Sequence, residues 1–246
     1  MDHNPLVELH DHHVASVHLL DFGTFQVGTK RTIGLPGYLV TTDRNAHILI
    51  DTGFPPDYAE ADRDGLGIFG HLLSQNSVQQ QLVLLNLTPQ DIDLLILTHS
   101  HIDHVGALPL FTCPILLTAA ERANPQPLYF GTKRPMDWPD RDYHTITADT
   151  QICRGLTALL TPGHTIGHLS LLVTHPQPLI LTADAINRAS EPAEGFSDAE
   201  DPITAATSAA RLFALAAEHN ATLIYGHDPQ QWRDLPKAPH PLTPPR

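Results

Sequence analysis

Thr98-His99-Ser100-His101-Ile102-Asp103-His104-Val105-Gly106 follows without a break on the apolar run Leu94-Leu95-Ile96-Leu97. A four-residue apolar run bounded by polar segments reads as a buried strand. Three imidazoles and a carboxylate then crowd a single turn at its end. Burying that many polar groups together is costly unless something binds them, and neutral imidazole with carboxylate is the ligand set of Zn²⁺ and its first-row neighbours. The spacing is therefore read as a metal site, the alternative being a polar surface loop that happens to be rich in histidine.

Moving outward, the same short apolar run recurs at residues 37–41, 47–50, 156–160, 169–173, 179–181 and 222–225, each ending in a loop rich in Gly, Pro, His or Asp. Such lengths and flanks favour strands. Several runs are apolar on both faces, as in sheets covered on both sides, which predicts a layered α/β architecture. Pro202 to His219 reads as a helix, with Asp201 as N-cap, Pro202 in the first helical position and Asn220 as the stop. Its apolar stripe is placed at Ile203, Ala206, Ala210, Phe213 and Ala217. A second helix is expected over Ser77 to Leu87, ahead of a short capped turn at Thr88–Asp91.

Three stretches, 55–73, 124–141 and 186–201, do not read as regular structure. Phe54, Phe69, Tyr129, Phe130, Met136, Trp138, Ile186 and Phe196 sit in or beside them, as candidates to line a substrate pocket or simply to pack the loops. No linker divides the chain, so residues 1–246 are read as one domain. Residues 1–13, with His3, His10, His12 and His13, and the proline-rich segment 236–246 are expected to be flexible ends.

Three later segments repeat the strand-then-ligand arrangement. Thr161-Pro162-Gly163-His164-Thr165-Ile166-Gly167-His168, Thr182-Ala183-Asp184-Ala185 and Tyr225-Gly226-His227-Asp228 each put His or Asp just beyond a strand. Loops past strand ends are where sites assemble in α/β sheets.

Composition narrows the function. With 14 Lys+Arg against 27 Asp+Glu and a formal net charge of -13, the chain lacks the cationic surface that binds nucleic-acid phosphates or anionic membranes. Its 17 histidines outnumber its permanent cations. Cys113 and Cys153 are too few for a disulfide framework or a paired-cysteine zinc site. With no leader-like start and no long apolar run, a cytoplasmic protein is expected.

His99, His101, Asp103 and His104 match the His-x-His-x-Asp-His core of the metallo-β-lactamase superfamily, which the chain resembles from about Leu39 to Asp228. The resemblance implies an αββα sandwich and a dinuclear centre. His99, His101 and His164 would hold one metal, Asp103, His104 and His227 the other, and Asp184 would bridge them. Asp51 would support the ligands from behind, and His168 would support or pack rather than ligate. Cys or Ser usually stands at the Asp184 position in true β-lactamases, and Glu at the His101 position in the oxygen-reducing di-iron branch. Neither chemistry is therefore expected.

The branch that resembles the chain best is that of the quorum-quenching N-acyl-homoserine lactonases and relatives such as 4-pyridoxolactonase. The implied function is opening of a lactone ring, an N-acyl-homoserine lactone first, with another lactone, ester or thioester, as in glyoxalase II-like enzymes, as the alternative. Two divalent ions, Zn²⁺ before Mn, Fe or Co, would share a water and lower its pKa, giving a hydroxide that attacks the carbonyl. Asp103 or Asp184 would carry the proton to the leaving alkoxide. Many of these lactonases have a Tyr three residues after the bridging Asp, where this chain has Asn187. Asn187 is the candidate substrate contact, with Tyr38, Tyr129 and Tyr225 as substitutes. No nucleic-acid or membrane partner is expected, and a homodimer stays open.

Overall fold

The computed structural model describes residues 4–27, 31–56, 74–124 and 137–243. Two mixed sheets stack face to face. The first contains β1 (Val14–Val27), β2 (Arg31–Thr42), β3 (His47–Ile50), β4 (Leu94–Ile96), β5 (Ile115–Thr118) and β6 (Tyr143–Ile146), in that spatial order. β1 to β3 pair antiparallel, and β3 to β6 pair parallel. The second contains β7 (Thr150–Cys153), β8 (Leu156–Leu160), β9 (Leu169–Val173), β10 (Leu179–Ala183) and β11 (Thr222–Tyr225), in the order β11-β10-β9-β8-β7.

Strand side chains alternate between faces, so a strand that is apolar throughout has to be covered twice. β4 shows the rule. Leu94 and Ile96 join Ile48, Ile50 and Leu116 against Leu156, Leu171 and Leu181 of the other sheet. Leu95 instead packs outward, beneath the helices α2 (Val78–Val83) and α3 (Ile102–Val105). The second sheet's outer face, including Leu159, Leu172 and Ile180, is covered by α6 (Pro202–His219), which follows the short helices α4 (Ala119–Arg122) and α5 (Glu191–Glu194). The helix–sheet–sheet–helix layering expected from the sequence is thus observed. Each fully buried Leu in these layers contributes about 2 kcal/mol.

The ends of α6 fall where the sequence puts them. The Asp201 carboxylate accepts from the Ile203 and Thr204 amides, and Asn220 closes the helix at φ 50°. The apolar stripe, however, is out of phase. Ala205, Ser208, Ala209 and Leu212 face the sheet, while Ile203 is 81% and Phe213 39% exposed. An alanine-rich helix offers the same periodicity on two faces. The choice is set by polar anchors, because Ser208 Oγ donates to Pro162 O at 2.7 Å and Arg211 Nη1 to Leu160 O at 2.8 Å. The helix expected to reach Leu87 stops at Val83, and the Thr88 cap opens a single 3₁₀ turn at Pro89–Asp91.

Over the described residues both ends lie against the sandwich. α1 (Pro5–Leu9) is capped by Asn4 and buries Leu9. After α7 (Pro229–Asp234), the proline-rich segment runs along β1: Ala238 N donates to Leu19 O at 2.8 Å and Leu242 N to Val17 O at 2.7 Å. Among the described residues β1 is an edge strand, paired by β2 on one side, and this segment supplies partners that an edge otherwise lacks.

Candidate metal centre

Every expected ligand follows a strand in the chain, Asp103 and His104 from the short helix after β4 and the others from the loops. β3 delivers Asp51, in the left-handed region at φ 61°. Its Oδ1 accepts the Thr98 amide at 2.8 Å, while its Oδ2 accepts the Thr98 hydroxyl at 2.8 Å and faces His104 Nδ1 at 2.8 Å. A proton on Nδ1 is thereby directed to Asp51, and Nε2 points into the site. β4 delivers His99 and His101, and the first turn of α3 carries Asp103 and His104. β8 leads to His164, β10 to Asp184 and β11 to His227. His227 Nδ1 donates to Gly34 O at 2.8 Å, which turns its Nε2 inward as well. The indole of Trp232 fills the place a Cβ on Gly34 would take, 2.1 Å away, so only glycine fits there.

Two groups of ligating atoms result: His99, His101, His164 and Asp184, and beside them Asp103, His104 and His227, with the atoms of each group within 4.8 Å of one another. In the first, His99 Nε2 and His164 Nε2 approach the same His101 Nδ1, at 3.0 and 2.9 Å. One ring nitrogen cannot satisfy two others at once, whereas a cation binds all three lone pairs, and tetrahedral ligands about 2.0 Å from zinc stand only about 3.3 Å apart. Asp184 lies between the groups. Its Oδ2 is 3.2 Å from His164 Nε2, and its Oδ1 is 3.3 Å from His104 Nε2 and 3.1 Å from His227 Nε2. His104 Nε2, Asp103 Oδ1 and Asp184 Oδ1 are buried atoms without a well-formed hydrogen bond. Buried orphans of that kind are rare, and the residues fit a pair of cations.

Electrostatics separates the two groups. Burial pushes His99 and His164 well below the ordinary imidazole range, with the charge of His104 adding to the effect on His99. Burial works against protonation of His104 too, but the carboxylates of Asp103, Asp51 and Asp184 outweigh it and hold the ring well above that range. His227 is raised likewise, burial being outweighed chiefly by Asp184. Burial would raise Asp184, yet His227, His164 and His104 keep it well below the usual carboxylate range. Protonation is thus disfavoured at His99 and His164 and favoured at His104 and His227, so a cation would compete with protons chiefly at the second group.

The residues behind the ligands form two buried networks. Asp184 N donates to His168 Nε2 at 3.1 Å, and His168 Nδ1 faces Thr161 Oγ1 at 2.9 Å. Thr161 Oγ1 in turn meets Ser170 Oγ at 2.9 Å, and Ser170 Oγ donates to Thr182 O at 2.9 Å. His168 therefore supports the backbone of Asp184 and does not enter the ligand groups. The second network centres on Glu121, which sequence reasoning missed. Ala119-Ala120-Glu121-Arg122 looks like the exposed start of a helix, and only the placement of β5 beside β4 brings it under the site.

Asn187, the candidate substrate contact, is anchored on two sides. Its backbone N–H and its Nδ2 (3.1 Å) both go to the Glu191 carboxylate, and its carbonyl accepts the His227 amide at 2.8 Å. It ties the turn after β10 to α5, and its Oδ1 is a buried atom without a hydrogen bond. Tyr38 is buried against the inter-sheet core, its hydroxyl without a hydrogen bond, and Tyr225 is half-buried. Among the loop residues, Ile186 and Phe196 pack beneath α6 and Phe54 and Trp138 against the other outer layer, so loop packing describes them better than pocket lining. Phe69, Tyr129, Phe130 and Met136 lie outside the described residues. So does His3.

Comparison with known proteins agrees with this geometry. The family pattern described as the metallo-beta-lactamase superfamily matches residues 37–227. The N-acyl homoserine lactonase AttM of Rhizobium radiobacter is 29% identical over 239 residues, covering 86% of this chain and 88% of that protein. The N-acyl homoserine lactonase AiiA of Bacillus thuringiensis subsp. kurstaki is 30% identical over 210 residues, covering 79% and 81%. A solved N-acyl homoserine lactone hydrolase, with the product N-hexanoyl-L-homoserine at its catalytic metal centre, superposes with a TM-score of 0.80 at 23% identity, over 93% of this chain and 99% of that one. A dizinc quorum-quenching lactonase, AidC, superposes with a TM-score of 0.59 at 19% identity, over 88% and 81%.

Proposed function

The chain belongs to the metallo-beta-lactamase superfamily, and from that premise we propose that it is a metal-dependent lactonase that hydrolyses N-acyl homoserine lactones, as its relatives are named for doing. The observation that carries the reading is the carboxylate of Asp184 set between two groups of converging imidazole and carboxylate atoms. His99, His101 and His164 would hold one ion and Asp103, His104 and His227 the other, with Asp184 shared. Zn²⁺ suits the nitrogen-rich set best. A pair of such ions supplies an activated water at neutral pH and a Lewis acid for an ester carbonyl. Asp103, whose Oδ1 has no hydrogen bond, or Asp184 would take up a proton and return it to the ring oxygen as the lactone opens.

The scarcity of Lys and Arg supports a neutral lactone over a polyanionic ester. Among the described residues no helix is long and apolar enough to cross a membrane. Cys113 and Cys153 are buried free thiols, which supports action in a reducing compartment such as the cytoplasm.

The test is to strip the protein with a chelator and restore Zn²⁺ while following ring opening of N-hexanoyl homoserine lactone. Turnover should vanish and return with two ions per chain. Turnover that survives chelation would sink the mechanism, and restored protein active on thioesters but not on lactones would reassign the substrate.

A further inference from the structure

Glu121 is fully buried, on α4 at the end of β5, and no part of the proposed hydrolysis uses it. Its carboxylate accepts four hydrogen bonds. Oε1 takes the Ser100 amide at 2.8 Å and the Ser100 hydroxyl at 2.5 Å. Oε2 takes the Thr165 hydroxyl at 2.7 Å and the Gly167 amide at 3.1 Å. Ser100 stands between His99 and His101, and Thr165 follows His164. One oxygen thus grips the ligand loop of the first sheet, and the other grips the ligand loop of the second.

The donors dictate the acceptor. Each oxygen receives a backbone N–H, which can only donate, so an acceptor is required at both positions. A carboxylate meets that demand and a glutamine does not, because either orientation of its amide sets an NH₂ against a backbone N–H. The loop is also drawn close. Thr118 Oγ1 donates to Gly167 O at 2.6 Å and accepts the Glu121 amide at 3.1 Å. A Cβ on Gly167 would lie 2.2 Å from the Glu121 nitrogen. Besides this grip, the loops share the backbone bond from Leu169 N to Thr98 O, at 2.9 Å.

We propose that Glu121 is a positioning residue that sets the separation between His99 and His101 on one loop and His164 on the other, and with it the affinity of the first metal position. The inference rests on the dinuclear reading of the site. Removing a hydrogen-bond partner behind metal ligands typically weakens binding by about 10–100-fold, and only the first position depends on Glu121.

The test titrates chelated protein with Zn²⁺ against a competing chromophoric chelator, records the Co²⁺ absorption of the same proteins, and measures the Tm of each metal-free variant. Wild-type protein should hold two ions tightly. Glu121→Gln should keep one and bind the other about 10–100-fold more weakly, with an altered Co²⁺ band. Thr165→Val, which removes one donor without changing side-chain shape, should weaken the same ion by about tenfold or less and should fold even where Glu121→Gln does not. Two tightly held ions in both variants, whatever their Tm, overturn the proposal, as does equal weakening of both ions. Wild-type protein with fewer than two ions overturns the dinuclear reading and the proposal with it.

Discussion

His168 lies between two groups whose hydrogen-bonding roles cannot be exchanged. The Asp184 amide can only donate, so Nε2 accepts, Nδ1 carries the proton, and the order runs on through Thr161 and Ser170 to the carbonyl of Thr182. The ring is neutral by construction, and burial pushes its pKa down to about 3. The unfolded chain takes up this proton below about pH 6.5 and the folded chain only near the lower value. Stability attributable to His168 is therefore complete above that range and falls as pH drops through it, by about 1.4 kcal/mol per pH unit. In urea titrations of metal-free protein from pH 7 to 4, His168→Gln should flatten the dependence by about that slope. His99 and His164 contribute equally to both proteins, so identical slopes would count against a buried neutral His168. At Gly34 the expected effect is steric. Gly34→Ala should displace Trp232 or the strand, cost about 1–3 kcal/mol and loosen His227, read as lost Zn²⁺ in the same chelator competition.

The phase of α6 can be tested by neighbouring substitutions. Leu212→Ala should cost about 2–5 kcal/mol because Leu212 is fully buried on the second sheet. Phe213→Ser should stay within about 0.5 kcal/mol, and the reverse ranking in thermal denaturation would restore the stripe read from the sequence. That stripe was misread because Ile203 and Phe213 are the bulkier residues, whereas the sheet selects small Ala205 and Ala209 with Ser208 and Arg211 as anchors. Strands were legible for the opposite reason. Runs such as Leu94–Leu97 are covered on both faces, and nothing competes with that reading. The expected ligands were equally legible, since all seven follow a strand's end within eight residues, His99, Asp184 and His227 within three. Glu121 was not, because its partners lie 21 and more residues away in sequence, and only sheet order joins them.

Over the whole molecule, the site is closed by contacts between distant parts of the chain, as where Gly34 meets His227 across 193 positions. The segment laid along β1 has the same long-range character. Leu242, 4% exposed, belongs to the inter-sheet core with Val17 and Leu19. Leu242→Ala should cost about 2–4 kcal/mol and, by loosening the cover on β1, increase self-association. Size-exclusion chromatography at rising concentration reads the second effect, and an unchanged elution profile would show that the edge is protected by something else. There is also a consequence in time. β1 leaves the ribosome more than 200 residues before Ala238 and Leu242, which shield its outer edge. Throughout synthesis the strand presents a bare hydrogen-bonding ladder, and nascent chains on one message could pair through it. Slowing translation over the codons for residues 236–243 should therefore raise the insoluble yield without any change in the finished protein.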